Sequence, residues 1–348
     1  MLASLAQRHL NRSFPCLQQT TRIMTTSTTT KPRVLLCRTL PPQSLHRITT
    51  EPSIQLIQST GTSREEFLEL ARGVDGILVK LTEKVDDELL DAAGPQLKVI
   101  STMSVGYDHI NVPACKARGV RLGNTPDVLT DATAELTIGL LLATARRFGE
   151  ALRAPKTGDW QAWTPTWMCG TQLTGKTVGL VGFGRIGVAV AERLQAFKLG
   201  KLLYASPSEK PHAAGRLNAV HLPLPRLLAE SDIVIVTCAL TPETKHLFCT
   251  ATFSQMKSTA IFINTARGQI VKQDDLIHAL KNGTIAAAGL DVTDPEPLPS
   301  NHELLQLDNA VVLPHVGSAT IETREAMAHL AIDNLLSGLA GAKMPAEI

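Results

Sequence analysis

The pattern of apolar and polar residues predicts strands that alternate with helices along most of the chain. In the first part, strands are predicted at 31–38, 54–58, 76–80 and 98–102, and helices at 64–72 and 86–93. Strands separated by helical crossovers form a parallel sheet. We therefore expect a small doubly wound domain in this part of the chain.

A stronger alternation begins at residue 177. Short runs rich in Val, Ile and Leu end in Gly, Ser or Thr, as in TVGLVGFG, KLLYAS, DIVIVTCAL, AIFINTARG, AAAGLDV and AVVLPHVG. Continuous apolar runs of this length are typical of parallel strands covered on both faces. In the last segment, 321–339, the apolar residues recur at helical spacing, which predicts an amphipathic helix that returns to the first domain. The fold class is therefore α/β, with two doubly wound parallel sheets.

The segment between the two alternations is different. Residues 130–147 predict one long helix, and all three tryptophans follow it in a stretch at 155–170 that is punctuated by Pro and Gly. We expect this stretch to be a surface arm that another molecule covers. So much apolar surface is unfavourable in water, and a symmetric pair of identical chains is its commonest partner. A homodimer joined through this helix and arm is predicted.

Composition narrows the class of protein. A net charge of +2, with both signs interleaved, argues against nucleic-acid and membrane-surface partners. The six cysteines form no C-x-x-C pair, which favours reduced thiols and no metal site. The longest apolar run, at 138–145, is too short to span a bilayer. These features predict a cytoplasmic protein.

The first 50 residues contain no Asp or Glu, and residues 1–24 carry three arginines among Ser, Thr and Leu. This composition is typical of a mitochondrial presequence. It is equally compatible with an untargeted tail, with Met24 as a second start. We treat residues 1–30 as a leader.

A glycine-rich turn follows the strand predicted at 177–181. It reads Gly182-Phe-Gly184-Arg185-Ile186-Gly187 and opens an apolar helix. In this strand–turn–helix context the motif indicates a dinucleotide site, where backbone N–H groups and the helix dipole hold the pyrophosphate. The alternative is an ordinary glycine-rich turn.

The strand predicted at 201–205 informs the choice of coenzyme. NAD enzymes carry Asp or Glu at this strand end, where it accepts from the ribose hydroxyl. Here the chain continues Ser206-Pro207-Ser208-Glu209-Lys210. The serines, Lys210 and Arg185 are donors for a 2′-phosphate, so NADP is predicted as the preferred coenzyme, with NAD left open.

Three residues after the later strands form a reactive set. Arg267, Glu296 and His315 supply a guanidinium, a carboxylate and an imidazole. A guanidinium holds a 2-oxo acid by its carboxylate in a fixed plane. As hydride reaches C2, an imidazolium protonates the ketone oxygen, and a neighbouring carboxylate orients that ring. The set predicts hydride transfer to a 2-oxo acid.

Six segments together resemble the D-isomer-specific 2-hydroxyacid dehydrogenases: TMSVGYDHINV, TPDVLTDATAELT, GFGRIG, NTARGQIVKQDDL, AGLDVTDPEPLP and LPHVGSAT. The resemblance extends over roughly residues 32–346. The resemblance implies a flavodoxin-like substrate domain at 31–127 and 321–348. It implies a Rossmann NAD(P)-binding domain at 128–320, with dimer contacts at 130–170 and the active site in the cleft between the domains. It also implies NADPH-dependent reduction of glyoxylate to glycolate and of hydroxypyruvate to D-glycerate.

The resemblance also assigns roles to individual residues. Arg267, Glu296 and His315 match the catalytic residues, and Val105 and Gly106 match the backbone that receives the substrate carboxylate. Leu81 is expected to line the pocket, and Trp163 to reach the active site of the partner subunit. Further coenzyme contacts are implied for Ala239, Thr265, Asp291 and Gly317, although Asp291 is also suited to capping a turn.

Other members of this family leave alternatives open. A corepressor branch keeps the same motifs but binds peptides, and it carries a long polar C-terminal tail that this chain lacks. A phosphoglycerate dehydrogenase needs extra cations for the substrate phosphate, and the sequence does not reveal them. A formate dehydrogenase needs a Gln-type partner where this chain has Glu296.

Overall fold

Two parallel β-sheets organise the computed structural model, which describes residues 30–59 and 63–348. The targeting segment predicted at 1–24 lies outside the described residues. Residues Pro32–Ile348 form one compact unit that contains both sheets. No helix in the described part of the chain is long and apolar enough to cross a bilayer.

The first sheet has five strands. They are β1 (Arg33–Cys37), β2 (Gln55–Ser59), β3 (Gly76–Val79), β4 (Val99–Thr102) and β5 (Arg121–Gly123). Their spatial order is β2-β1-β3-β4-β5, the flavodoxin-like arrangement. The helices between them are α1 (Pro42–Thr49), α2 (Arg64–Leu70), α3 (Asp87–Ala93) and α4 (Val112–Ala117).

The second sheet has seven strands. They are β6 (Thr177–Val181), β7 (Lys201–Ala205), β8 (Ala219–His221), β9 (Ile233–Val236), β10 (Ile261–Asn264), β11 (Ala287–Leu290) and β12 (Ala310–Val312). The order β12-β11-β10-β9-β6-β7-β8 is that of a Rossmann sheet with one further strand. The predicted fold class is confirmed.

Eight helices accompany or follow this second sheet in the described residues. They are α5 (Thr130–Ala145), α6 (Phe148–Thr157), α7 (Arg185–Leu194), α8 (Pro211–Leu217), α9 (Leu224–Glu230), α10 (Thr250–Phe253), α11 (Gln273–Lys281) and α12 (Ile321–Leu339). The last helix returns to the five-stranded sheet, where Met327, Ala331 and Leu335 are buried with Leu36 and Val99. The returning helix was predicted with these bounds.

The prediction of one helix at 130–147 was wrong. The helix α5 ends at Ala145, and Arg147 adopts a left-handed backbone conformation with φ of 55°. The guanidinium of Arg147 donates to both oxygens of Glu150, at 2.8 and 2.7 Å, and so closes the turn. A separate helix, α6, then begins, and it contains Pro155, which was predicted to start the surface arm.

Candidate active site

The carboxyl ends of both sheets face one cleft. From the seven-stranded sheet come Arg267 after β10, Asp291 after β11 and His315 after β12. From the five-stranded sheet come Leu81 after β3 and Val105 after β4. Two adjoining cavities, of about 460 Å³ and about 70 Å³, occupy the cleft. Parallel strands present their carboxyl ends to the same edge, which is where such sheets bind ligands.

The imidazole and the predicted carboxylate are in direct contact. Nδ1 of His315 lies 2.8 Å from Oε2 of Glu296, and the other oxygen of Glu296 accepts from the N–H of Thr293 at 2.9 Å. Because an ionised carboxylate can only accept, Nδ1 carries the proton, and Nε2 remains for a ligand. Burial on its own raises the pKa of Glu296, but the hydrogen bond and charge of His315 outweigh it and the pKa is lowered. The carboxylate is therefore ionised at neutral pH.

The turn that carries His315 is held by Asp291. The oxygens of Asp291 accept from the N–H groups of Val316 and Gly317, both at 2.8 Å, and its carbonyl accepts from the N–H of His315 at 2.8 Å. His315 has a left-handed φ of 55°, a strained conformation for a side chain other than Gly or Asn. Burial raises the pKa of Asp291. These contacts are the ones expected of an aspartate that caps a turn.

The guanidinium of Arg267 crosses the cleft to the five-stranded domain. Its Nε donates to Oδ1 of Asp108 at 2.9 Å, and its Nη1 donates to the carbonyl of Ala266 at 2.8 Å. A Cβ added to Gly106 would lie 1.9 Å from Nη2 of Arg267, so glycine is what allows this approach. Asn264 folds the local turn, because its side chain bonds both the carbonyl of Arg267 and the N–H of Ala266.

Most of the predicted site residues lie on these cavities. The smaller cavity is lined by Leu81, Val105, Arg267, Asp291, His315 and Gly317, all of which were singled out from the sequence. The larger is lined by Val105, Gly106, Gly184, Arg185, Ile186, Ala239, Thr265 and Arg267. The hydroxyl of Thr265 also contacts that of Thr137 at 2.9 Å, which ties α5 to the end of β10.

The glycine-rich turn has the geometry that its sequence predicts. Gly182 has a φ of 99°, and a Cβ there would lie 2.5 Å from the backbone nitrogen of Cys238. A Cβ at Gly187 would lie 2.4 Å from the carbonyl of Gly182, so this glycine allows α7 to pack closely. A Cβ at Gly184 would meet nothing within 4 Å, which leaves open space beside the N-terminus of α7. The turn fits a dinucleotide pyrophosphate.

The loop after β7 gathers donors at the strand tip. The hydroxyl of Ser206 donates to the carbonyl of Ser208 at 2.6 Å, and Nζ of Lys210 lies 3.1 Å from the hydroxyl of Ser208. Pro207 lies between the two serines. The carboxylate of Glu209 lies 3.6 Å from Nδ1 of His221, a separation that makes an ion pair when this histidine is protonated. Arg185 pairs with Asp127 at 3.2 Å in an exposed ion pair.

Trp163 does not line either cleft cavity of its own chain. Its side chain is 85% exposed, and Trp160 and Trp167 are also exposed. His109 contacts the hydroxyl of Thr102 at 3.1 Å, and burial lowers its pKa to about 4. In the described part of the chain no cluster of His, Cys, Asp and Glu is arranged to hold a metal ion.

Several cleft residues were not identified from the sequence, among them Asp108, Ser318 and Arg324. Asp108 bonds Arg267, and both Ser318 and Arg324 line the smaller cavity. Asp108 and Ser318 lie within the segments quoted above, so their place beside Gly106 and Gly317 was the available signal. Arg324 lies in an ordinary helical pattern, and only the return of α12 to the cleft brings it to the site.

Comparison with known proteins identifies the family. Residues 138–317 match the NAD-binding domain of the D-isomer specific 2-hydroxyacid dehydrogenases. The human protein named glyoxylate reductase/hydroxypyruvate reductase is 53% identical over 283 residues, 80% of this chain and 86% of that protein. This chain therefore belongs to the D-isomer-specific 2-hydroxyacid dehydrogenase family and is an NAD(P)-dependent oxidoreductase. The predicted family is confirmed.

Solved structures agree with this assignment. A glyoxylate reductase from Paecilomyes thermophila superposes with a TM-score of 0.82 at 29% identity, over 91% of this chain and 98% of that one. The NADPH-dependent glyoxylate/hydroxypyruvate reductase of Sinorhizobium meliloti, in complex with NADP and malonate, gives a TM-score of 0.79 at 33% identity, over 92% and 97% of the two chains.

We predict that Gly182→Ala destabilises the fold, because the new Cβ meets backbone at a left-handed φ. The expected loss in the free energy of unfolding is about 2 kcal/mol or more, measured by urea denaturation. Gly283→Ala is the matched control, since Gly283 has a φ of 66° and a Cβ added there would meet nothing within 4 Å. Equal losses in the two variants would show that close packing at Gly182 contributes nothing.

Proposed function

We propose that this protein reduces glyoxylate to glycolate and hydroxypyruvate to D-glycerate, with NADPH as the preferred coenzyme. The observation that carries the proposal is the hydrogen bond between His315 and Glu296, because it orients an imidazole that lines the same cavity as Arg267. This set lies beside a turn that fits a dinucleotide. The names of the similar human and Sinorhizobium meliloti proteins support the choice of substrates.

The substrate carboxylate binds to the guanidinium of Arg267 and to the backbone of Val105 and Gly106. Asp108 and Ala266 already engage Nε and Nη1 of Arg267, so the ion pair fixes the plane of the guanidinium and leaves Nη2 directed at Gly106. A planar donor group held at two of its nitrogens keeps its orientation without further loss of entropy on binding. Arg267 thus orients the 2-oxo acid.

His315 acts as the proton donor. When bound, NADPH would supply a hydride to C2 of the substrate, and the carbonyl oxygen on C2 would gain negative charge. The Nε2–H of His315 then donates its proton to that oxygen. Glu296 stabilises the protonated imidazole and holds Nδ1 in place, in the way that a carboxylate orients the histidine of a hydrolase triad. The Thr293 N–H in turn fixes the carboxylate of Glu296.

The coenzyme preference rests on the tip of β7. Two serine hydroxyls and the ammonium of Lys210 cluster there, and within the described residues none of the three bonds a carboxylate. The residue at the strand tip is Ser206 rather than an acid that would repel a 2′-phosphate, and the exposed carboxylate of Glu209 lies on the side of His221. Arg185 is a further donor, since its exposed pair with Asp127 contributes about 1 kcal/mol or less and is easily exchanged.

We predict that glyoxylate and hydroxypyruvate give higher kcat/KM than pyruvate and phosphohydroxypyruvate. NADPH is expected to exceed NADH by at least about tenfold in kcat/KM, which corresponds to about 1.4 kcal/mol. Steady-state kinetics with the four acids and both coenzymes measure this. Ser206→Asp is expected to shift the preference toward NADH, and Ser206→Ala controls for loss of the hydroxyl. A native preference for NADH would show that Glu209 leaves His221 and reaches the ribose.

We predict that His315→Ala lowers kcat for both acids by about 10²–10⁴-fold while NADPH still binds, because a general acid contributes that much. Stopped-flow and steady-state rates measure the loss, and calorimetric titration measures coenzyme affinity. His246→Ala is the matched control, since His246 is exposed and has a left-handed φ of 54°. Unchanged turnover in folded His315→Ala would remove this residue from the mechanism.

The homodimer is a further part of the proposal. Exposed apolar side chains concentrate between residues 148 and 167, where Phe148, Leu152, Trp160, Trp163 and Trp167 are 48%, 69%, 69%, 85% and 42% exposed. A patch of this kind is typical of an interface between subunits. A twofold pair would bury it, and Trp163 would then reach the partner's active site and limit the size of the substrate.

We predict that the protein sediments as a dimer of two 37.4 kDa chains at micromolar concentration. Trp163→Ser is expected to weaken the dimer, because it removes one of the most exposed aromatic groups from the proposed interface. Leu305→Ser, at an exposed apolar residue outside this segment, is the control. A monomer in the unmodified protein would contradict the interface.

A further inference from the structure

Arg324 lines the smaller cavity, and none of the described residues supplies a counter-ion for it. Arg324 lies in the first turn of α12 and lines the cavity with Arg267 and His315. Within residues 30–59 and 63–348 its side chain makes no hydrogen bond and no ion pair, and it is only partly exposed. Burial lowers its pKa, and the more distant charge of Asp291 acts in the opposite direction.

Asp291 does not serve as the partner of Arg324. Its two oxygens already accept from the N–H groups of Val316 and Gly317. Other partly buried arginines are paired: Arg64 with Asp86, Arg193 with Asp131 and Arg267 with Asp108. A partly buried cation without a partner is unfavourable unless a ligand supplies the missing acceptor. Arg324 is therefore suited to an oxygen of a bound molecule.

One part of each small 2-oxo acid remains available for a hydrogen bond from Arg324. In the proposed reaction Arg267 and the backbone at Val105 and Gly106 hold the carboxylate, and His315 faces the carbonyl oxygen on C2. The substituent on C2 remains: a hydrogen in glyoxylate, a methyl group in pyruvate and a hydroxymethyl group in hydroxypyruvate. Arginine has donors and no acceptor, so it favours the substituent that carries oxygen. A cavity of about 70 Å³ favours a hydroxyl over a bulkier phosphate.

We propose that Arg324 is a specificity-determining residue that donates a hydrogen bond to an oxygen on C3 of the substrate. The inference rests on the proposed reduction of 2-oxo acids at this site. It predicts that, among substrates larger than glyoxylate, the enzyme prefers 3-hydroxy-2-oxo acids. Leu81, Met103 and Met327 line part of the same cavity with apolar side chains. The hydroxyls of Ser104, Thr133, Thr265 and Ser318 also line it, but Arg324 and Arg267 are its only guanidinium groups among the described residues.

The test is Arg324→Met, which keeps an unbranched apolar chain and removes the donors. The ratio of kcat/KM for hydroxypyruvate to that for glyoxylate is expected to fall by about tenfold to 100-fold, the range for one hydrogen bond to a charged group. The change is expected mainly in KM, since the charge on the C3 oxygen does not change during the reaction. Glu322→Gln, an exposed position on the same helix, is expected to leave the ratio unchanged.

A second measurement separates specificity from stability. Arg324 has no hydrogen-bond or ion-pair partner among the described residues, so Arg324→Met is expected to keep or raise the Tm measured by calorimetry. An unchanged ratio, or equal losses for the two acids, would overturn the inference, and equal losses would place Arg324 on the substrate carboxylate instead. If the unmodified protein reduced neither acid, the proposed function would fail before Arg324 was tested.

Discussion

Parallel pairing of β10, β11 and β12 is the constraint on which the site depends. Parallel strands end at the same edge of a sheet, so residues far apart in the sequence emerge side by side. Arg267, Asp291 and His315 each follow one of these strands, and the backbone bond from His315 to Asp291 connects two of the strand ends. The chemistry therefore depends on the sheet register rather than on nearness in the chain.

Most of the cationic and proton-carrying groups of the site are balanced by acidic side chains that contact them. Three groups that bind anions or carry protons, Arg267, His315 and Arg324, line one small cavity. Two of them have an acidic partner: Arg267 pairs with Asp108, and His315 pairs with Glu296. Such pairing fixes their orientation while leaving donors available to a ligand. Arg324 differs because, among the residues that the structure describes, no acidic side chain pairs with it.

Sequence patterns predicted those parts of the fold that depend only on residues close together in the chain. Val- and Ile-rich runs of strand length are buried on both faces in this structure, and the turn at Gly182 requires the φ that its glycine predicts. The same reasoning failed at Arg147, where an ion pair with Glu150 stabilises a left-handed residue that ends α5. Apolar periodicity carries no information about such a side-chain contact.

The sequence by itself determined the two alternating strand–helix regions, the nucleotide turn and the identity of Arg267, Glu296 and His315, because each is encoded by residue type at fixed spacing. Only the tertiary structure decided that Asp108 orients Arg267 across the cleft and that Arg324 reaches the same cavity. These contacts join elements from the two ends of the chain. They depend on how the returning helix and the two sheets pack, and no short stretch of sequence records that packing.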